Sequence, residues 1–221
     1  MKMTIAYLYH DLLNLYGDVG NIMALKYHLE EQKIDVTIKY LSVNDKKYFN
    51  KYDLVYIGSG TDKNLLIALE DLKNYKNDIK KYIDNNKFIL ATGNSFELFG
   101  KYIRIKSNVI KTLNIFNYFV EYDYDLKDRI VKDVNYKCNL INKNIIGFEN
   151  HPGYLNSKEE HLFEDEGVKK NNFYGSYVIG PLLVRNPEFC KYFIKDLIHN
   201  KDSKYKIIDG NYKLDELAYK N

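Results

Sequence analysis

The residues KFILATGNSFELFG at 87–100 constrain the fold of this chain more than any other stretch. Phe88, Ile89, Leu90 and Ala91 form an apolar run, Thr92-Gly93-Asn94 reads as a turn, and residues 95–99 resume an apolar pattern at helical spacing. The order is strand, tight turn, helix. In an open α/β sheet, ligands bind beyond the carboxyl end of such a strand, where the following helix points its backbone N–H groups. A turn of this kind also carries the nucleophile of many hydrolases, but here it holds no cysteine.

Upstream, residues 3–9 are β-rich, and a helix is expected over 21–32, capped by Asp18 or Asn21 and burying Ile22, Leu25 and Leu29. Strands follow at 36–41 and 54–57, the second running into Gly58-Ser59-Gly60-Thr61-Asp62. A dinucleotide fingerprint needs a third glycine where Lys63 stands, so that pattern is incomplete. Leu65, Leu69 and Leu72, then Tyr75, Ile79 and Ile83, give two helical segments before residue 87. This alternation predicts an α/β fold with a mostly parallel sheet and crossover helices. Short β-rich runs at 109–115, 117–124, 129–137 and 145–148 read as antiparallel strands extending one edge of that sheet. Pro187 opens a last helix with Phe189, Phe193 and Leu197 on one stripe. Residues 1–200 read as one domain, and 201–221 as a polar, loosely docked tail.

The 33 Lys+Arg and 30 Asp+Glu are spread along the chain, so no basic block points to nucleic acid or a lipid surface. No apolar run reaches membrane-spanning length, and the first residues lack the apolar core of an export signal, so a cytoplasmic protein is expected. Cys138 and Cys190 lie far apart and match no metal spacing; reduced thiols, no metal and no cofactor are expected.

Several segments follow one another in a telling order: NLYGDVGNIMALK at 14–26, DLVYIGSGTD at 53–62, ELFG at 97–100, LNIF at 113–116, IIGFENHPG at 145–153 and GSYVIGP at 175–181. Over about 1–187 the chain resembles the CobB/CobQ-type class I glutamine amidotransferases. The resemblance implies a flavodoxin-like α/β domain that hydrolyses glutamine and passes ammonia to a Mur-ligase-like partner. That partner uses ATP to amidate the D-glutamate of the peptidoglycan stem. Aligned on Glu97 to Gly100, the family's Cys-Gly-Gly-Tyr-Gln falls on Gly93-Asn94-Ser95-Phe96-Glu97. Its Tyr-Leu-His-Gly-Pro falls on Tyr177-Val178-Ile179-Gly180-Pro181. The nucleophile position thus holds Gly93 and the base position Ile179, and losing both removes thiolate chemistry outright. Gly58, Ser59 and Gly60 are expected to keep oxyanion-type donors, Asn94 and Ser95 stand on the elbow, and Arg129 falls, allowing one inserted residue, where the family has an arginine that binds glutamine. Glu97 replaces the family's glutamine and is expected to add a negative charge beside the elbow.

Three readings of function follow. The first is a subunit without glutaminase activity that acts as a structural or ligand-sensing partner. The second is an active amidotransferase or hydrolase with relocated groups: Ser95, on a loose Gly-x-Ser, or His151 paired with a cysteine. The third is a stand-alone module that captures glutamine or another amino acid through Arg129. Each has a plainer counterpart: Ser95 as a helix cap, His151 as a loop-holding side chain, the cysteines as core residues, Arg129 as a strand-edge cation. His10, His28, His161 and His199 form no ligand spacing and read as surface or capping residues.

Overall fold

The computed structural model of the chain describes residues 1–122, 129–210 and 212–220. In chain order its elements are β1 (Lys2–Leu8), α1 (Val19–Glu31), β2 (Asp35–Leu41), β3 (Leu54–Ile57), α2 (Asp62–Lys73), α3 (Lys76–Asp84), β4 (Phe88–Thr92), β5 (Tyr102–Ile105), β6 (Asn108–Lys111) and β7 (Tyr118–Tyr122). Then come β8 (Ile130–Lys137), β9 (Asn144–His151), β10 (Gly153–Ser157), β11 (Val168–Lys170), β12 (Phe173–Ser176), α4 (Leu182–Arg185), α5 (Pro187–Lys201) and α6 (Lys213–Lys220).

The central sheet has the order β11-β12-β4-β3-β1-β2. Its pairs are parallel from β2 through β12, and β11 joins the edge antiparallel. Apart from that edge strand, the spatial order is the 2-1-3-4-5 of flavodoxin-like folds. Every residue of β3 and β4 is buried, which is why both read as unbroken apolar runs. Leu54, Tyr56, Phe88 and Leu90 pack on the α1 and α5 side, while Val55, Ile57, Ile89 and Ala91 pack on the α2 and α3 side.

The β-rich runs between 109 and 148 do not extend this sheet. A separate four-stranded sheet, β10-β7-β5-β6, sends Ile103, Tyr118 and Val120 into the core on the α2 side. β8 and β9 form their own antiparallel ladder, from Ile130 opposite His151 to Lys137 opposite Asn144. Alternation fixes which face of a strand is buried and not which strand it joins. The place beside β4 goes to β12, whose four residues are all buried.

The segment after β4 is also not the expected α-helix. Residues Gly93–Phe99 form a 3-10 helix with every residue buried, so it has no solvent face to set an α-helical stripe. Its terminal carbonyls are taken by the LNIF segment: the Leu113 N–H donates to Leu98 O (2.9 Å), and those of Ile115 and Phe116 donate to Phe99 O (3.0 and 3.1 Å).

At the other end of the chain, α5 buries Phe189, Phe193 and Leu197 as expected, but the residues beyond it are docked. Gln32 donates from Nε2 to Ile208 O (2.6 Å) and accepts the Ile208 N–H (2.8 Å), and Lys191 pairs with Glu216 (2.8 Å). Tyr212 stacks on His28, 4.1 Å between ring centroids, so His28 is buried and not a surface residue. Among the described residues, no helix is long and apolar enough to cross a membrane.

Candidate functional site

The crest of the sheet, at the carboxyl ends of β3 and β4, is built around Gly93. Its φ of +63° lies in the left-handed region, which a glycine enters at no steric cost. A β-carbon there would overlap the β-carbon of Ser59 and lie 3.2 Å from Cγ2 of Ile179. Positions 93 and 179 therefore face each other. Ile179 is held opposite the elbow by a bridge to β9, its N–H donating to Phe148 O (2.9 Å) and the Phe148 N–H donating to Ile179 O (3.3 Å).

Beneath the elbow lies a buried polar network that the sequence reading did not identify. Asp18 is 2% exposed. Its Oδ1 accepts from the hydroxyls of Tyr56 (3.2 Å) and Thr92 (3.0 Å), and its Oδ2 from Ser59 Oγ (2.7 Å) and the Tyr16 N–H (3.3 Å). Asn21 Nδ2 donates to the Tyr56 hydroxyl (2.8 Å), and its Oδ1 accepts the Leu183 N–H (2.8 Å). Asp18 occupies the N-cap position of α1, yet its side chain makes no cap bond and turns inward. That inward turn needs Gly58, where a β-carbon would overlap the Leu13 carbonyl oxygen and lie 2.6 Å from Asp18 Cβ.

Asn94 clamps the loop after β3: Nδ2 donates to Gly60 O (2.9 Å) and Oδ1 accepts the Gly60 N–H (3.1 Å). That N–H, one of the expected oxyanion donors, is already engaged. Ser95 is fully buried and shares its hydroxyl proton between Ile57 O (3.0 Å) and Thr92 O (2.9 Å), a strut between β3 and the elbow and not an N-cap. Above these residues lies a cavity of about 220 Å³. Ser59, Gly60, Gly93, Asn94, Arg129, His151 and Ile179 all line it; Gly58 and Ser95 do not. Thr61 caps α2, accepting the Asn64 N–H at Oγ1 (3.2 Å), so the positive end of that helix opens onto the cavity. Arg129 donates from Nε to Asn150 Oδ1 (2.5 Å) and from Nη2 to Asn150 O (3.3 Å).

His151 is fixed in place. Nδ1 lies 2.8 Å from Gly153 O, and the ring stacks on Tyr177 at 3.5 Å and 2°. Its Nε2 is 3.6 Å from Glu149 Oε2, beyond hydrogen-bond range, and has no hydrogen-bond partner. Cys138 and Cys190 sit in the core on the α1 and α5 side, and burial pushes both thiols up. Neither lines the cavity, so the geometry forms no His151–cysteine pair. The expected charge at Glu97 is also corrected. Its carboxyl is fully buried and accepts the hydroxyls of Tyr122 (2.6 Å) and Tyr177 (2.8 Å); burial outweighs these bonds and pushes it up to about 8. At neutral pH the group is mostly protonated.

Sheet order, left-handed elbow and crest cavity together define a flavodoxin-like α/β domain with a cavity beyond the carboxyl ends of its parallel strands. The model of the CobB/CobQ-like glutamine amidotransferase domain matches residues 4–187, and the chain belongs to that family. Among characterised relatives, the GatD subunit of glutamine-hydrolysing lipid II isoglutaminyl synthase from Streptococcus pneumoniae is 30% identical over 215 residues, 90% of this chain and 82% of that one. The GatD subunit from Staphylococcus aureus is 27% identical over 216 residues, 90% and 86% of the two chains. A solved structure described as a glutamine amidotransferase superposes with a TM-score of 0.59 at 15% identity, covering 87% of this chain and 98% of that one, a likeness of fold alone.

Proposed function

We propose that this chain is a GatD-like subunit of a complex that amidates lipid II during peptidoglycan synthesis, and that it does so without hydrolysing glutamine. Similarity to two GatD subunits over 90% of the chain supports the first part. The observation that carries the second is the filled space at the elbow: where a nucleophile's β-carbon would start, Ser59 and Ile179 already sit. A thiolate mechanism needs a sulfur and a base within hydrogen-bond reach of it, and losing the nucleophile of such a unit costs on the order of 10⁶ in kcat. Gly93 supplies no sulfur, Ile179 takes no proton, and the Gly60 N–H is engaged by Asn94. Relocation to Ser95 or His151 has no geometric support, because the Ser95 hydroxyl is committed to two carbonyls and does not line the cavity, and neither cysteine lines the cavity beside His151.

What persists is a cavity with a guanidinium at its edge and a helix N-terminus opening onto it, which suits the carboxylate of glutamine or another amino acid. The chain then serves as a structural or ligand-sensing partner of a Mur-ligase-like subunit that draws on ammonia from solution or another source. The ATP that such a partner is expected to use supports a cytoplasmic location for both. The test is amidation by the purified complex with either ammonium chloride or glutamine as nitrogen source. Product is expected from ammonium alone; product from glutamine, with ammonia released, overturns the proposal.

A further inference from the structure

The loop from β10 to β11 and the β8–β9 ladder enclose a second cavity, of about 280 Å³. It shares with the elbow cavity two wall residues, His151 and Tyr177. The two polar neighbours of the His151 ring, Gly153 and Glu149, line this second space and do not line the elbow cavity. Glu149 is 2% exposed; it accepts the Tyr136 hydroxyl at Oε1 (2.8 Å), and Lys132 Nζ stands 3.5 Å from Oε2. Glu166, 8% exposed, lines the same space and accepts Ser176 Oγ (2.7 Å) and the Tyr177 N–H (2.6 Å).

The bonding at His151 is incomplete in a specific way. Its Nδ1 has a carbonyl acceptor, so a neutral ring carries its proton there and presents a lone pair at Nε2. That nitrogen, in a side chain 5% exposed, is without a hydrogen-bond partner and faces the Glu149 carboxylate across 3.6 Å. A charged ring pairs with the carboxylate directly, whereas in that neutral tautomer two acceptors oppose each other with no proton between them. A cation bearing several N–H groups satisfies both, and Lys132, half-exposed at the mouth, is the chain's own ammonium placed near that carboxylate. A divalent metal fits less well: among the described residues, no group of three His, Cys, Asp or Glu side chains is placed to hold one.

We propose that this cavity binds a small primary ammonium, either the ammonium ion or a short alkylammonium, between Glu149 and His151, with Lys132 competing for the carboxylate. The Tyr136 and Tyr177 rings and the apolar walls of Ile130 and Leu155 cover whatever carbon the cation carries. The site does not depend on whether the elbow turns over glutamine.

The test is a ¹H–¹³C NMR titration of the histidine ring signals of the full chain at constant ionic strength, with His151 assigned from H151F. Ammonium and methylammonium chloride are expected to shift the His151 signal saturably, and tetramethylammonium, which has no N–H, is not. Tighter binding of the ammonium ion identifies the free ion as the ligand, and tighter binding of methylammonium an amine-bearing molecule. E149Q, at a residue that does not line the elbow cavity, should lose the response. K132A, a change at a half-exposed side chain, should tighten binding and serves if E149Q fails to fold. Equal shifts with tetramethylammonium, a response retained in E149Q, or unchanged or weaker binding in K132A overturns the proposal.

Discussion

Gly93 holds a conformation that costs an ordinary residue energy, in a place where a side chain has no room. Replacing it with alanine adds left-handed strain and an overlap with Ser59 Cβ, together on the order of 1–3 kcal/mol. Urea denaturation of G93A should show that loss, and S59G, which also removes the Ser59 Oγ bond to Asp18, should cost less in the G93A background than in the native chain. An equal cost in both backgrounds would mean that the strain does not lie against Ser59. The positions of Gly93 and Ile179 were readable because the flanking ELFG, GSY and GP residues fix their register, whereas Arg129 lies outside those segments and aligns only by allowing one inserted residue. Asp18 and Asn21 were legible as residue types and not as roles: nothing in a one-dimensional pattern says that a carboxylate at a helix start turns inward to meet hydroxyls from β3, β4 and the loop between β3 and α2.

The elements around the elbow set a pH dependence. Glu97 on the 3-10 helix and Glu166 before β11 are both buried, and burial pushes each carboxyl from an ordinary value of 4.5 up to about 8. Between those values the folded chain keeps protons that the unfolded chain has released. Their contribution to stability is complete below about 4.5, falls as pH rises, and is lost above about 8. Burial lowers His28 from 6.5, which gives the opposite slope at and below that pH, so the informative window is pH 6.5 to 8. The Tm should fall across it, and E97Q should make the fall shallower; an unchanged slope would show that Glu97 is ionised in the folded protein. At this scale the four parallel strands β1 to β4 were readable to within one residue at either end, β3 and β4 because burial on both faces writes a continuous apolar run. The 3-10 helix was not, since a wholly buried segment has no periodicity.

For the whole molecule, alternating strands and helices already implied the doubly wound sheet, and the structure adds the order that puts β1, β3 and β4 under the cavity. The assignment of the β-rich half to separate sheets was hidden, because pairing across many residues leaves no local mark. The docking of the last residues was hidden as well, since it rests on Tyr212, Gln32 and Lys191 and not on an apolar stripe. A domain over 1–200 with an appended segment remains our proposal for the chain's organisation. The central claim is that the family fold persists around an elbow from which the reacting groups have gone. Intact-mass measurement after incubation with a chloroketone analogue of glutamine tests it most directly. The account predicts an unmodified mass under conditions that fully label an active glutaminase; an adduct mapping to Ser95, His151, Cys138 or Cys190 would contradict it.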